Sequence, residues 1–545
     1  MRYPRSSGIL MHPTSLPGRF GVGDIGPSAH KFVEFLADSG QRWWQTLPLG
    51  PTGAGNSPYQ SHSSFAGNPL LISPEAMVER GWLDEADLPE PVPATDQVDF
   101  MEVIRVKNAL LAKAFARFSA ADAEFHRFVI REKHWLQDYA LFMAIKESRG
   151  GSAWFQWEPE LVSRRPEALE NFARESAEAA RFHEFVQYVF YQQWEALRRA
   201  CARRDVKLIG DIPIFVAHDS ADVWANPELF FLGGDGRPTF VAGVPPDYFS
   251  ETGQLWGNPL YNWEAHAAEG YAWWIRRVGA LLKQVDLIRI DHFRGFEAYW
   301  EVPGGAETAV NGRWVPGPGP ALFHALREHF PELPFIAEDL GVITPPVEAL
   351  RDEFDLPGMR VLQFGFSPDP EAEKHLPYRH VVNSIAYTGT HDNDTSYGWI
   401  SNPDVETTQS LEEIEEERRF ALRFVGTDGR EFGWDLIRQA WGSVAGVAIA
   451  PMQDVLGLDS KARMNVPGRG EGNWGWRMLP ARPTPAEADR LADLTALYGR
   501  WNGELPEGHD LHRKTGGPPL PPELTPESAS GDVDAEPEPG AGAGA

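Results

Sequence analysis

The chain has 545 residues, 42% of them hydrophobic, enough to bury a large core, and its 50 Lys and Arg against 78 Asp and Glu give a formal charge of −28. That balance excludes nucleic acid and anionic membrane as partners, because both are recognised through basic patches, and it is compatible with a neutral polysaccharide. Cys201 is the single cysteine, so an intramolecular disulfide is excluded, and no Cys/His cluster has the spacing of a zinc site, so neither a metal nor a cofactor is expected.

Eight strand-like segments follow in order, at 8–13, 43–49, 207–215, 285–293, 333–340, 360–366, 383–388 and 444–450. The stretch before and around the first, MRYPRSSGILMHPTS, has too short an apolar run for a signal peptide, and no later run is long enough to span a bilayer. With the reduced cysteine this predicts a cytoplasmic protein; the oligomeric state stays open, a monomer being compatible. Between the first two strands, residues 29–39 read as an amphipathic helix with Phe32, Phe35 and Leu36 on one face and Gly40 as its stop. Strands alternating with helices imply a parallel sheet, and eight of them a closed (β/α)8 TIM barrel, an α/β fold.

Two regions interrupt the alternation. From about 72 to 204 no barrel strand is evident, while 127–146 and 182–204 read as long helices, which predicts a largely helical insertion between strands 2 and 3 that shapes one side of a cleft. The catalytic unit is expected over 1–500. Residues 515–545 carry six acidic and no basic residues, repeated prolines and a closing GAGAGA, a disordered-tail composition.

Three of the strand ends carry a carboxylate: Asp291 in IRIDHFRG, Glu338 in FIAEDLG and Asp392 in TGTHDNDT. The interval from Asp291 to Glu338 accommodates one crossover helix and the next strand of a (β/α) unit. Strand alternation puts Arg289 and Asp291 on one side and Ile288 and Ile290 on the other. An arginine and an aspartate buried together must pair, and the pairing keeps Asp291 ionised, as a nucleophile must be. Glu338 follows Phe335, Ile336 and Ala337, so partial desolvation lets it hold a proton and act as general acid. Two carboxyls in opposed protonation states are the pattern of a retaining glycosidase. His391 and Asp392 add a donor and an acceptor for sugar hydroxyls. One such carboxylate alone is more often a helix cap or a surface charge; three, each after its own apolar strand, point to a site. Asp339 and Asp394 adjoin the candidates and could exchange roles with them, although alternation lets only one of Glu338 and Asp339 face the cleft.

The segments SGILMHPTSLPG, QTLPLGPTGAGNSPYQSHSSFAGNP, GDIPIFVAHDSADVWANPELF, AGVPPDYFSETGQLWGNPLYNW, IRIDHFRGFEAYWEVP, AEDLG, YTGTHDNDT and NVPGRGEGNWGWR together resemble the 4-α-glucanotransferase (amylomaltase, disproportionating enzyme) family of the α-amylase clan, glycoside hydrolase family 77. The resemblance implies a (β/α)8 barrel without the C-terminal β-sandwich of amylases, and transfer with retention of part of an α-1,4-glucan onto glucose or another glucan. It implies Asp291 as nucleophile, Glu338 as acid/base and Asp392 as the carboxylate that holds the sugar at the cleavage subsite. Arg289 matches the arginine beside the nucleophile, His391 the histidine beside Asp392, and Asp211 a further position near that subsite. Tyr59, in SPYQ, matches a stacking platform, an aromatic ring being a flat apolar surface for a sugar's C–H face. Asn465, Asn473 and Trp474 resemble a later sugar-contacting segment. His218 departs from the clan's spacing and stays outside the site.

The loop VPPDYFSETGQLWGNP places Tyr248 and Phe249 between two prolines and the glycines Gly253 and Gly257. It reads as a hinged aromatic lid that admits a glucan acceptor and excludes water, or else as a loop packed by its own rings. An α-glucan hydrolase using the same carboxylates with water as acceptor is the runner-up. A binding scaffold without chemistry has no need of a desolvated acid, and a metal-dependent barrel hydrolase needs histidine-rich strand ends that this chain lacks.

Overall fold

The computed structural model describes residues 3–119, 121–246, 250–402 and 409–501. Its centre is a closed barrel of eight parallel strands. They are β1 (Ser6–Leu10), β2 (Trp43–Gln45), β3 (Lys207–Pro213), β4 (Leu287–Asp291), β5 (Phe335–Ala337), β6 (Gly358–Val361), β7 (Ser384–Tyr387) and β8 (Val447–Pro451). All eight overlap the segments read from sequence, β1 and β6 starting two residues early and β8 ending one residue late, and closure pairs β1 with β8, Ser6 opposite Val447 and Leu10 opposite Pro451. The strands are shorter than the apolar runs because the runs continue into the loops above them. β6 is displaced instead: it begins at Gly358, and Leu362–Phe366 coils into a 3₁₀ turn. Both faces of these strands are covered, which is why they read as continuous apolar runs.

The helix Pro27–Asp38 buries Phe32 and Leu36, with the Phe32 ring edge-on to Trp44 of β2 at 5.0 Å. Burial of such side chains is worth about 1.5–3 kcal/mol each. Gly40 at φ 71° then turns the chain into β2.

The insertion between β2 and β3 is helical, as expected, but its first long helix is two. Ala123–Arg131 and Lys133–Ser148 are separated at Glu132, whose buried carboxylate accepts the Trp135 indole N–H at 3.0 Å and pairs with Arg131 at 2.8 Å. The second, Ala177–Arg203, starts earlier than the apolar pattern indicates. One buried ion pair ties the insertion to the barrel: Lys107 Nζ lies 2.6 Å from Asp24 and donates to the Ile72 carbonyl at 2.7 Å.

A feature absent from the sequence reading is a four-stranded antiparallel sheet raised from the loops after β3 and β4. Its strands are Phe240–Val244, Gln254–Pro259, Ala298–Pro303 and Arg313–Pro316. It gives the two glycines of the hinge reading defined places. Gly257 lies inside Gln254–Pro259, where the register against Phe240–Val244 shifts, and its φ of 76° makes the bulge. Gly253 closes the connecting turn, its N–H on the Ser250 carbonyl at 3.2 Å. Tyr248 and Phe249 lie outside the described residues, as does the 515–545 tail.

The barrel floor is fastened by Arg500. This buried guanidinium donates to the carbonyls of Ser6 and Trp441 at 2.8 Å, Ser443 and Ala445 at 3.1 Å, Ala440 at 3.2 Å and Gly446 at 3.3 Å. It thereby bridges the starts of β1 and β8. Arg500→Met retains much of the volume and removes every donor, and is expected to lower the unfolding free energy by about 3 kcal/mol, read as a lower urea midpoint. An unchanged midpoint would mean that these carbonyls find other donors.

Candidate active site

Register assembles the site at the C-terminal mouth of the barrel. In β3 and β4, Asp211 sits opposite Arg289 and Pro213 opposite Asp291. In β4 and β5, Ile290 sits opposite Ala337, so Asp291 and Glu338 are the next residues on neighbouring strands. Asp392 follows β7, two strands further round.

Arg289 is the electrostatic centre. Its guanidinium is buried, 2.8 Å from Asp211 and 2.9 Å from Asp291. Asp211 has no exposed side-chain surface; besides Arg289 it accepts the Tyr59 hydroxyl at 2.7 Å. The structure therefore sets Asp211 behind the cleft, holding Arg289 and Tyr59, whereas the sequence reading set it among substrate contacts. One cation between two aspartates has a consequence for Asp291. Burial, the larger influence, and the charge of Asp211 raise its carboxyl to about 6, against the lowering by Arg289. Pairing with Arg289, which the sequence reading expects to keep Asp291 ionised, thus limits the rise but does not abolish it.

Glu338 is pushed further. Burial, aided by the negative charge of Asp291, raises its carboxyl to about 8 in spite of Arg289. Its two oxygens receive the backbone N–H of His292 at 2.6 Å and of Leu340 at 3.1 Å. His292 reaches that position by a left-handed backbone, φ 55°, a strained conformation for a non-glycine residue. Nothing in the residue types announces this, since the contact is made by backbone.

Asp339 points elsewhere. It accepts from Arg351 at 2.6 Å, Arg360 at 3.3 Å and the Met359 N–H at 2.7 Å. Asp394 is engaged by the Ser460 hydroxyl at 2.6 Å and the Thr395 N–H at 2.8 Å. Both aspartates serve local structure, which leaves Asp291, Glu338 and Asp392 as the carboxyls of the cleft.

Asp392 is more open, its side chain 43% exposed, with His391 Nε2 at 3.4 Å and Asn465 Nδ2 donating to it at 2.6 Å. The Tyr59 ring stacks on His391 at 5.1 Å, and Trp474 leans on both, at 5.8 Å from Tyr59 and 6.0 Å from His391. Asn473 instead braces its own loop, accepting the Val466 N–H at 2.9 Å, the turn-forming role usual for Asn in Gly-rich segments. His218 lies stacked on Phe155 at 4.3 Å and bound to the Gly236 carbonyl at 2.7 Å. A buried nucleophile candidate, a proton-holding neighbour and a half-exposed carboxylate beside stacked rings make up a cleft suited to acetal chemistry on a polyhydroxylated substrate.

The 4-alpha-glucanotransferase family model matches residues 11–482. The chain is 49% identical over 506 residues to a 4-alpha-glucanotransferase of Synechocystis sp., covering 91% of this chain and 98% of that protein. It is 49% identical over 513 residues to a 4-alpha-glucanotransferase of Thermus thermophilus, covering 92% and 100%. Among solved structures, amylomaltase from Streptococcus agalactiae in complex with acarbose matches with a TM-score of 0.86 at 38% identity, over 91% of this chain and 100% of that one.

Proposed function

The chain belongs to the 4-alpha-glucanotransferase family, an enzyme family acting on α-glucans, and from that membership we propose a retaining double displacement with Asp291 and Glu338 as its two working carboxyls. The Asp291 carboxylate attacks the anomeric carbon while the Glu338 carboxylic acid protonates the departing glycosidic oxygen. The bond to the leaving glucan breaks as the bond to Asp291 forms. Glu338, now a carboxylate, takes the proton from the 4-hydroxyl of glucose or of another glucan, and that oxygen displaces Asp291. Two inversions restore the α configuration.

The observation that carries this reading is the pair of raised and separated carboxyls, Asp291 at about 6 and Glu338 at about 8, on adjacent strands. Near neutrality one is ionised and its neighbour protonated, the division of labour the first step requires. Asp392, held by Asn465, takes the hydroxyls of the sugar at the cleavage subsite, and Arg289 steadies Asp291. Tyr59, His391 and Trp474 contribute ring surface. Tyr248 and Phe249 we assign to the acceptor side on the family resemblance. The single cysteine, free and buried, accords with a cytoplasmic setting.

Incubation with maltotriose tests the assignment. Glucose and a ladder of longer maltooligosaccharides are expected with almost no gain in total reducing ends, since each bond broken is replaced by a new one. Reducing ends that rise in step with maltotriose consumption would identify a hydrolase.

A further inference from the structure

Asp392 differs from the other two carboxyls of the cleft in how little holds it. Asp291 is gripped by Arg289, and Glu338 by two backbone N–H groups. Among the described residues Asp392 has one short bond, from Asn465 Nδ2 at 2.6 Å, with His391 Nε2 at 3.4 Å and its side chain 43% exposed. A carboxylate so exposed adopts a defined aim when the segment carrying its partner is fixed to its own. The two segments are distant in sequence, one after β7 and the other after β8.

Arg463 makes that connection. Its Nη2 donates to the backbone carbonyl of Asp392 at 2.6 Å and its Nε to the backbone carbonyl of Asn465 at 2.8 Å. These two N–H groups lie on one edge of the guanidinium, a planar fork that sets the separation of the atoms it grips. The Asn465 N–H closes the bracket on the His391 carbonyl at 3.1 Å. The Trp474 N–H, on the Met464 carbonyl at 2.7 Å, carries it on to the aromatic group.

We propose that Arg463 is a positioning residue for the transfer reaction: its fork locks the 391–392 turn to the 463–465 segment, sets the Asn465–Asp392 hydrogen bond and so aims Asp392 at the sugar. The proposal rests on the reading of Asp392 given above. Interactions that tighten toward the transition state weigh on kcat more than on KM, so misalignment of Asp392 registers chiefly in kcat. Displacements of about 1 Å at a reacting centre cost about 100-fold.

The test is a double-mutant cycle on maltotriose with Arg463→Met and Asn465→Ala, melting temperature being recorded for each variant. Arg463→Met is expected to lower kcat about 100-fold with a smaller change in KM, and Arg463→Lys, able to reach one carbonyl, to recover part of the loss. The double variant is expected within about twofold of the worse single variant, the scatter of additive cycles, instead of at the product of the two losses. A product of losses, or normal turnover in Arg463→Met, overturns the role of Arg463. Asp392→Asn, measured alongside, reads the parent assignment separately: near-normal turnover there would defeat the role of Asp392 whatever the cycle gives. Should Arg463→Met fail to fold, the same cycle run with Arg463→Lys decides, additivity again counting against the proposal.

Discussion

Asp291→Asn is expected to lower kcat on maltotriose by about 10⁴-fold or more, with unchanged circular dichroism, because removal of a nucleophile removes the covalent route itself. Glu338→Gln is expected to fall by a comparable factor on maltotriose, but the two variants part on α-glucosyl fluoride. Fluoride departs without a proton, so the first step no longer needs an acid and Glu338→Gln recovers glycosylation. Asp291→Asn does not, since its defect is the missing nucleophile. A burst of fluoride from Asp291→Asn equal to that of the unaltered protein would remove Asp291 from its role. Asp339→Asn supplies a contrast: it removes the negative charge paired with Arg351 and Arg360 and replaces the oxygen they share with an amide donor, and is expected to act through stability, lowering the melting temperature.

The pH dependence of kcat/KM is expected to be bell-shaped. Activity rises with pH as Asp291 ionises, through about 6, and falls as Glu338 loses its proton, through about 8. Beyond either limb the rate drops about tenfold per pH unit. The two limbs belong to the interacting pair and not to either group alone. Asp211 is one of the charges that raise Asp291, so Asp211→Asn is expected to move the acid limb to lower pH while the basic limb, governed by the burial of Glu338, moves less. A profile flat between pH 5 and 9 would disconnect these carboxyls from the rate-determining chemistry.

Legibility followed the physics of each element. The eight barrel strands were visible because a parallel strand covered on both faces is a continuous apolar run, and the loops above them carry the polar residues of the cleft. The antiparallel sheet over the mouth was not. Its strands FVAGV and QLWGNP contain glycine and proline, which in a linear reading signal a turn; cross-strand pairing and the bulge at Gly257 turn them into a sheet. The break at Glu132 escaped for a related reason, since helical periodicity runs on through it and the interruption comes from a side chain engaging Arg131 and Trp135.

By itself the sequence determined the residue types at the mouth and their strands: Asp291, Glu338 and Asp392, with Arg289 one alternation away from Asp291. These follow from local spacing and apolar runs, properties carried by contiguous residues. Tertiary structure alone decided where each carboxyl stands and what it touches. Asp211 became a buried brace because register sets it opposite Arg289. Asp339 and Asp394 were drawn into contacts with Arg351, Arg360 and Ser460. Arg463 acquired its grip on Asp392 and Asn465 through backbone carbonyls, which every residue possesses and no side-chain pattern reveals. The ordering of Asp291 below Glu338 arises from desolvation and from charges brought together by strand pairing, and both are properties of distances in space between residues far apart along the chain.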